Sequence, residues 1–246
     1  MRRCAVWMML SCVVCGCGGG YVMTAGDQLA PAGGEAATVI RLQQSELPLV
    51  TPPARDVAVR FCVADCPQRS ARTDKNGYAA AAVPLPAAPG SYEMTVAIQD
   101  TQGEEARWAV RTFAWDADRP VVAIELDALP HDGKALLEAR AALAAMAQRA
   151  NILYLTRQEI DDLDECRRCL QADDLPDGPV LSWHRTRWPH KGIVSPLPAL
   201  REQFPYLEVG IGASKLAMAA FEQAGMKGLA VGEGGQSWAE LAKGDF

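Results

Sequence analysis

A chain of 246 residues with a formal net charge of −6 is long enough for one large domain or two modest ones, each able to bury a core. Asp and Glu number 30 against 24 Lys and Arg, with no long basic stripe. That balance excludes bulk nucleic-acid binding, because nothing would neutralise a phosphate backbone.

The first residues read as a targeting leader. Arg2 and Arg3 form a positive n-region, and Ala5 to Val14 form an apolar h-region too short for a stable membrane span. Val14-Cys15-Gly16-Cys17 resembles a bacterial lipoprotein cleavage box, with Cys17 as the residue to be lipidated. An ordinary signal peptide that happens to hold Cys4, Cys12, Cys15 and Cys17 is the alternative. Gly18-Gly19-Gly20 supplies the flexible tether expected after a lipidated cysteine, and two or more acyl chains would hold the protein on a membrane face. The expected location is therefore the periplasmic or outer face of a bacterial envelope. Export implies an oxidising compartment, so the remaining cysteines are expected as two local disulfides, Cys62 with Cys66 and Cys166 with Cys169. Cys166-Arg167-Arg168-Cys169 also has redox-motif spacing, although Asp161, Asp162, Asp164 and Glu165 precede it and disfavour a thiolate.

Residues 18–36, rich in Gly, Ala and Pro, read as a linker. A β-rich unit is expected over 37–117. Thr38–Leu42 is a first strand, and Val57, Val59, Phe61 and Val63 alternate with more polar or smaller residues as in a half-buried strand. Asp74-Lys75-Asn76-Gly77 is a turn, Tyr92, Met94, Val96 and Ile98 alternate again, and Asp100–Gly103 turns the chain into Arg107–Trp115. Short strands at near-regular spacing predict a small antiparallel sandwich. The run TDKNGYAAAAVPLPAAPGSYEMTVAIQD resembles bacterial Ig-like modules.

From Pro120 the pattern changes. Val121–Leu126 is a continuous apolar strand, and 134–149 is helical, with Leu136, Ala139, Leu143 and Met146 on one face. Strands are predicted at 152–155, 180–181, 207–211 and 229–231, and helices at 158–172, 197–204 (interrupted by Pro198) and 214–224. Such alternation predicts a parallel α/β sheet covered on both faces over 118–246.

Val121-Val122-Ala123-Ile124-Glu125-Leu126-Asp127, ILYLTR, LPDGPVLSW, HKGIVSPLPALREQFP and GIGASKLAMAAFEQAGM follow one another in this region. In order and spacing they resemble the haloacid dehalogenase (HAD) superfamily, nearest its lipin-type phosphatidate phosphatase branch. The resemblance implies a three-layer α/β fold with a nucleophilic aspartate, an acid/base aspartate two residues on, a Thr or Ser, a Lys, and acids that hold Mg²⁺. Carried over, Glu125 stands at the nucleophile position, Asp127 at the acid/base position, Thr156 at the hydroxyl position and Lys191 at the lysine position. Ser214 matches the serine of the last motif, while Ala213 and Ala217 replace its acids, and Ala128-Leu129 replaces the Gly-Thr after the second aspartate. A carboxylate attacks a phosphate dianion only with a cation between them, and Mg²⁺ demands converging oxygen ligands, of which Asp127 alone is kept. A misplacement of about 1 Å can cost roughly a hundredfold in rate, and glutamate is one methylene too long.

The resemblance therefore implies a catalytically degenerate domain: a binding or scaffold module without a resident cofactor. The alternative is an active phosphohydrolase on a lipid-like or macromolecular phosphoester, using Mg²⁺ held with the help of acids such as Asp132 or Glu233. Only the 134–149 helix separates the first two motifs, which leaves no room for a sizeable cap, and small caps go with large substrates. Trp183-His184-Arg185-Thr186-Arg187-Trp188-Pro189-His190-Lys191 reads either as a surface loop whose tryptophans pack on the domain or as an anion-binding loop. In the second case Arg185, Arg187 and Lys191 join Thr156 and Ser214 around a phosphate or carboxylate. His184 and His190 repeat no zinc spacing. Besides the membrane, an anionic ligand or an envelope protein is the expected partner. A third reading makes the β-rich unit the working part and the second unit a spacer.

Overall fold

The computed structural model describes residues 20–45, 51–99, 103, 105–158, 163–182, 196–232 and 234–243. The chain is a mixed α/β protein in which two mainly antiparallel sheets precede a parallel one. The first part contains β1 (Tyr21–Ala25), β2 (Gln28–Pro31), β3 (Glu35–Gln44), β4 (Ala58–Val63), β5 (Arg69–Arg72), β6 (Tyr78–Pro84), β7 (Gly90–Gln99) and β8 (Glu105–Trp115). Their order is β1-β3-β6 in one sheet and β2-β8-β7-β4-β5 in the other. Neighbours are antiparallel except β2, which runs parallel to β8 with Leu29 opposite Phe113.

Alternation builds this unit's core. Ala36, Thr38, Ile40 and Leu42 of β3 point inward, and Ile40 and Leu42 share one cluster with Phe61 of β4 and Met94, Val96 and Ile98 of β7. Each such side chain contributes about 1.5–3 kcal/mol when fully buried. The predicted turn forms: Asp74 Oδ1 accepts the N–H groups of Asn76 (2.8 Å) and Tyr78 (3.0 Å). Gly77 sits at φ +81°, where a Cβ would lie 2.3 Å from the Leu42 carbonyl, so only glycine fits.

Residues 21–31 correct the expectation of a linker. Tyr21, Met23 and Ala25 of β1 alternate onto the core, and Ala30 of β2 is fully buried. Small residues lowered the apparent hydrophobicity of the segment, but they are what a close approach between sheets requires. Gly33, at φ +74°, turns the chain from β2 into β3.

The second part contains β9 (Val121–Glu125), α1 (Gly133–Ala147), β10 (Asn151–Thr156), α2 (Leu163–Ala172), β11 (Val180–Ser182), α3 (Leu197–Gln203), β12 (Leu207–Gly212), α4 (Lys215–Gln223), β13 (Lys227–Ala230) and α5 (Trp238–Leu241). The sheet is parallel, ordered β11-β10-β9-β12-β13. Successive residues of β9 serve opposite faces. Val122 and Ile124 pack with α1, α2 and α5, whereas Val121 and Ala123 pack with α3 and α4. Pro198 does not interrupt α3, because it falls in the first turn, where a missing N–H costs nothing.

The two parts share a core. Leu29, Phe113 and Trp115 of the β-rich unit belong to the same cluster as Leu200, Phe204 and Phe221, and the Trp115 and Phe204 rings meet edge to face at 6.1 Å. Asp27, from the β1–β2 connection, crosses the same junction: its carboxylate accepts Arg167 Nη2 of α2 (2.7 Å) and the Val180 N–H of β11 (2.8 Å).

Candidate functional site

An open parallel sheet places its ligand crevice at the carboxyl ends of the strands, where the order reverses. Here that point lies between β9 and β12, and Glu125 is the last residue of β9. It is 1 % exposed. Its Oε2 accepts the N–H groups of Ala213 and Ser214, both at 2.9 Å, and its Oε1 accepts the Ser214 hydroxyl. The Ser214 oxygen in turn accepts the Ala217 N–H at 3.0 Å and caps α4. The two residues that lead into α4 are thus a donor nest at the positive end of a helix dipole, and the protein's own carboxylate fills it. Gly212 allows the closeness: a Cβ there would stand 3.2 Å from Glu125 Oε2 and 2.9 Å from the Ala217 Cβ.

Of the other sequence-predicted residues, Asp127 and Thr156 also have protein partners, Asp127 in a half-exposed pair. Asp127 lies in a 3₁₀ turn (Leu126–Ala128) and accepts two donors of Arg157, Nε at 2.7 Å and Nη2, on one oxygen. Thr156 ends β10, buried; its Oγ1 accepts the Gln158 N–H at 3.1 Å and the Cys166 thiol at 3.7 Å. Lys191, Arg185 and Arg187, with His184 and His190, lie outside the described residues, as does Glu233. Asp132 is the N-cap residue of α1, with no side-chain cap bond.

Among the described residues, no three His, Cys, Asp or Glu side chains converge as a metal-binding group. The donor chemistry agrees. Glu125 is occupied by three protein donors, Asp127 by a guanidinium, and Ala213 and Ala217 offer no side-chain ligand. Ala217 is fully buried in the apolar cluster under α4. These residues do not fit Mg²⁺, which needs about six oxygens near 2.1 Å in octahedral array.

All four cysteines of the body are free thiols, which corrects the expected disulfides. Cys62 Sγ donates to the Ala64 carbonyl at 3.7 Å. On α2, Cys166 turns toward Thr156 while Cys169 donates to Glu165 Oε1 at 3.9 Å, so helix geometry sends the two side chains to different partners. Burial, then the charges of Glu165 and Asp173, push the Cys169 thiol up. Although Cys169 is exposed, iodoacetamide at neutral pH is expected to alkylate it more slowly than a cysteine in a short peptide. Glu165→Gln should speed it, as peptide mass spectrometry over time would show.

Two features escaped sequence reasoning. Asp27 lies in the segment read as linker, yet it is buried against Arg167; burial pushes its carboxyl up, and Arg167 offsets part of this. A groove of about 390 Å³ opens beside it, lined by Ser91, Arg111, Gln171 and Asp177 among others. Arg111 is paired by Asp177 and the two Arg167 Nη groups by Asp27 and Asp164, while the buried Arg167 Nε has no hydrogen-bond partner among the described residues.

No family model and no curated protein matches the chain. Among solved structures, it is similar to a carbohydrate acetylesterase from Xanthomonas citri at 11 % identity and TM-score 0.34, over 77 % of this chain and 49 % of that one. A family 39 glycoside hydrolase from Bacteroides cellulosilyticus WH2 matches at 7 % identity and TM-score 0.28, over 83 % of this chain and 55 % of that one. CopC from Methylosinus trichosporium OB3b matches at 10 % identity and TM-score 0.24, over 38 % of this chain and 85 % of that one. The chain thus spans about half the length of the acetylesterase and the glycoside hydrolase. Likenesses of this order assign neither a fold family nor an activity.

Proposed function

We propose that this is an exported protein, held on the periplasmic or outer face of a bacterial envelope by a lipid on Cys17. Its α/β unit is a HAD-like domain that has lost phosphatase chemistry and serves as a binding or scaffold module, behind an Ig-like β unit. The observation that carries this reading is the Glu125 carboxylate seated on the Ala213 and Ser214 N–H groups at 2.9 Å. A nucleophile must be free to approach phosphorus, and this carboxylate instead works as an internal cap. The Arg157 guanidinium pairs with one oxygen of Asp127 at the acid/base position, in a half-exposed contact. The short connection from β9 to β10 holds only a 3₁₀ turn and α1, so no cap domain enters between these two strands, which suits a macromolecular or membrane-borne partner.

Purified mature protein given Mg²⁺ with p-nitrophenyl phosphate, or with phosphatidate in mixed vesicles, should release no more phosphate than its Asp127→Asn variant. Mg²⁺-dependent release that Asp127→Asn abolishes would establish the phosphohydrolase instead.

A further inference from the structure

The outward face of the β1-β3-β6 sheet departs from the pattern of its inward face. An antiparallel sheet with one wet side ordinarily carries polar residues outward. Here Val39 stands opposite Ala80 and Ala37 opposite Ala82, all four exposed, with Val39 at 40 %. Val22 of β1 lies on the same side, opposite Gln43. The charged residues of β3 on this face are Glu35 and Arg41. Arg41, opposite Thr24 of β1, stacks over Tyr78 at 5.6 Å and stands between Val22 and Val39, and Glu35 at the far end pairs with Arg69 at 3.0 Å. Exposed apolar residues grouped on a sheet face suit an interaction surface.

The start of β1 indicates what covers it. Cys17 precedes Tyr21 by only Gly18, Gly19 and Gly20. Four peptide steps reach at most about 14 Å, so a lipid on Cys17 holds the first residue of β1 within that distance of its own attachment point. The strand so tethered belongs to the sheet that carries the apolar face. At such a short tether the effective concentration of the face at the bilayer is high, and weak contacts suffice. The chain as a whole carries net charge −6 and is repelled by an anionic leaflet, whereas this face offers it Arg41.

We propose that the outward face of the β1-β3-β6 sheet docks on the lipid bilayer. Val39 and the alanines lie against the headgroup boundary, and Tyr78 with Arg41 sits at the level of the phosphates. This rests on the lipidation of Cys17.

The test uses the mature chain purified from membranes and reconstituted in vesicles of phosphatidylethanolamine and phosphatidylglycerol. Intact mass reports whether Cys17 carries acyl chains. A benzophenone amino acid replaces Val39 in one preparation and Leu137 of α1, 63 % exposed, in another. Lipid adducts at position 39 and their loss at 137 are the expected result. Protein dimers crosslinked through position 39 would overturn the proposal in favour of a second copy, and an acylated protein without adducts at 39 would overturn docking alone. A Cys17 without lipid would remove the anchor, and the docking with it. Should the benzophenone variant misfold, hydroxyl-radical labelling of Tyr78 in unmodified protein decides. Protection on vesicles relative to soluble Cys17→Ser supports docking; equal labelling overturns it.

Discussion

Glu125→Ala should lower the unfolding free energy by about 3–5 kcal/mol, read as a shift of the denaturant midpoint at unchanged slope. The substitution leaves the Ala213 N–H, the Ser214 N–H and the Ser214 hydroxyl without their acceptor; Glu125 is 1 % exposed, Ser214 half-buried and Ala213 exposed. It also opens a void beside Gly212. Glu125→Gln keeps the shape and one acceptor oxygen but not the charge at the helix start, and should cost about 1–3 kcal/mol. The contrast with a working nucleophile is sharp. Catalytic carboxylates are held in strained or repulsive surroundings, and their removal commonly leaves stability unchanged or raised. A Glu125→Ala protein as stable as the parent would therefore undo the reading of this carboxylate as a cap.

Asp27→Ala should cost a further independent amount, about 3–5 kcal/mol, because it leaves Arg167 and the Val180 N–H facing an empty position in the junction. The Arg167 side chain is 14 % exposed and the Asp27 side chain not at all, so Asp27 itself is out of reach of water. Replacing both, as Asp27→Leu with Arg167→Met, should recover much of the loss, since apolar substitutes for a buried pair are often neutral. The pH dependence has a definite sign. Burial raises the Asp27 carboxyl above its ordinary value of 3.8, Arg167 notwithstanding. The folded state thus holds this proton more tightly than the unfolded chain. The associated stabilisation is complete below 3.8 and is lost as pH rises through the raised folded value. Asp27→Asn lacks this contribution, so the advantage of the parent over Asp27→Asn should shrink as pH climbs out of the acid range. An advantage that grows over that interval would show that the charged pair, and not the buried acid, governs the junction.

Much of the second unit was legible because its strands are continuous apolar runs, which only a sheet covered on both faces requires. Val121–Glu125 and Asn151–Thr156 are of this kind. Helix α4 was equally plain, opened by Ser214 and closed by Gly225. Helix α5 was missed although Ser237 and Glu240 form a capping box, with the Ser237 N–H donating to Glu240 at 2.8 Å; the apolar segment it caps is too short to show a period. Strands β1 and β2 were missed because Ala, Gly and Pro lower apparent hydrophobicity whether a segment is loose or tightly packed. At the site, residue types and spacing placed Glu125, Asp127 and Ser214 at neighbouring strand ends. They could not show that Glu125 bonds to the nest instead of facing outward, because that depends on the side-chain length and the backbone of residues 212–214 in three dimensions.

The cluster joining Leu29, Phe113 and Trp115 to Leu200, Phe204 and Phe221 bears on how the molecule comes into being. Synthesis delivers the β-rich unit first, and Phe204, whose ring meets Trp115, follows only about ninety residues later. During that interval the nascent chain displays a sticky surface that the finished molecule hides. A holdase that recognises Phe113 and Trp115 would see its target only on the unfinished polypeptide and would be displaced, without added energy, by the arrival of α3 and α4.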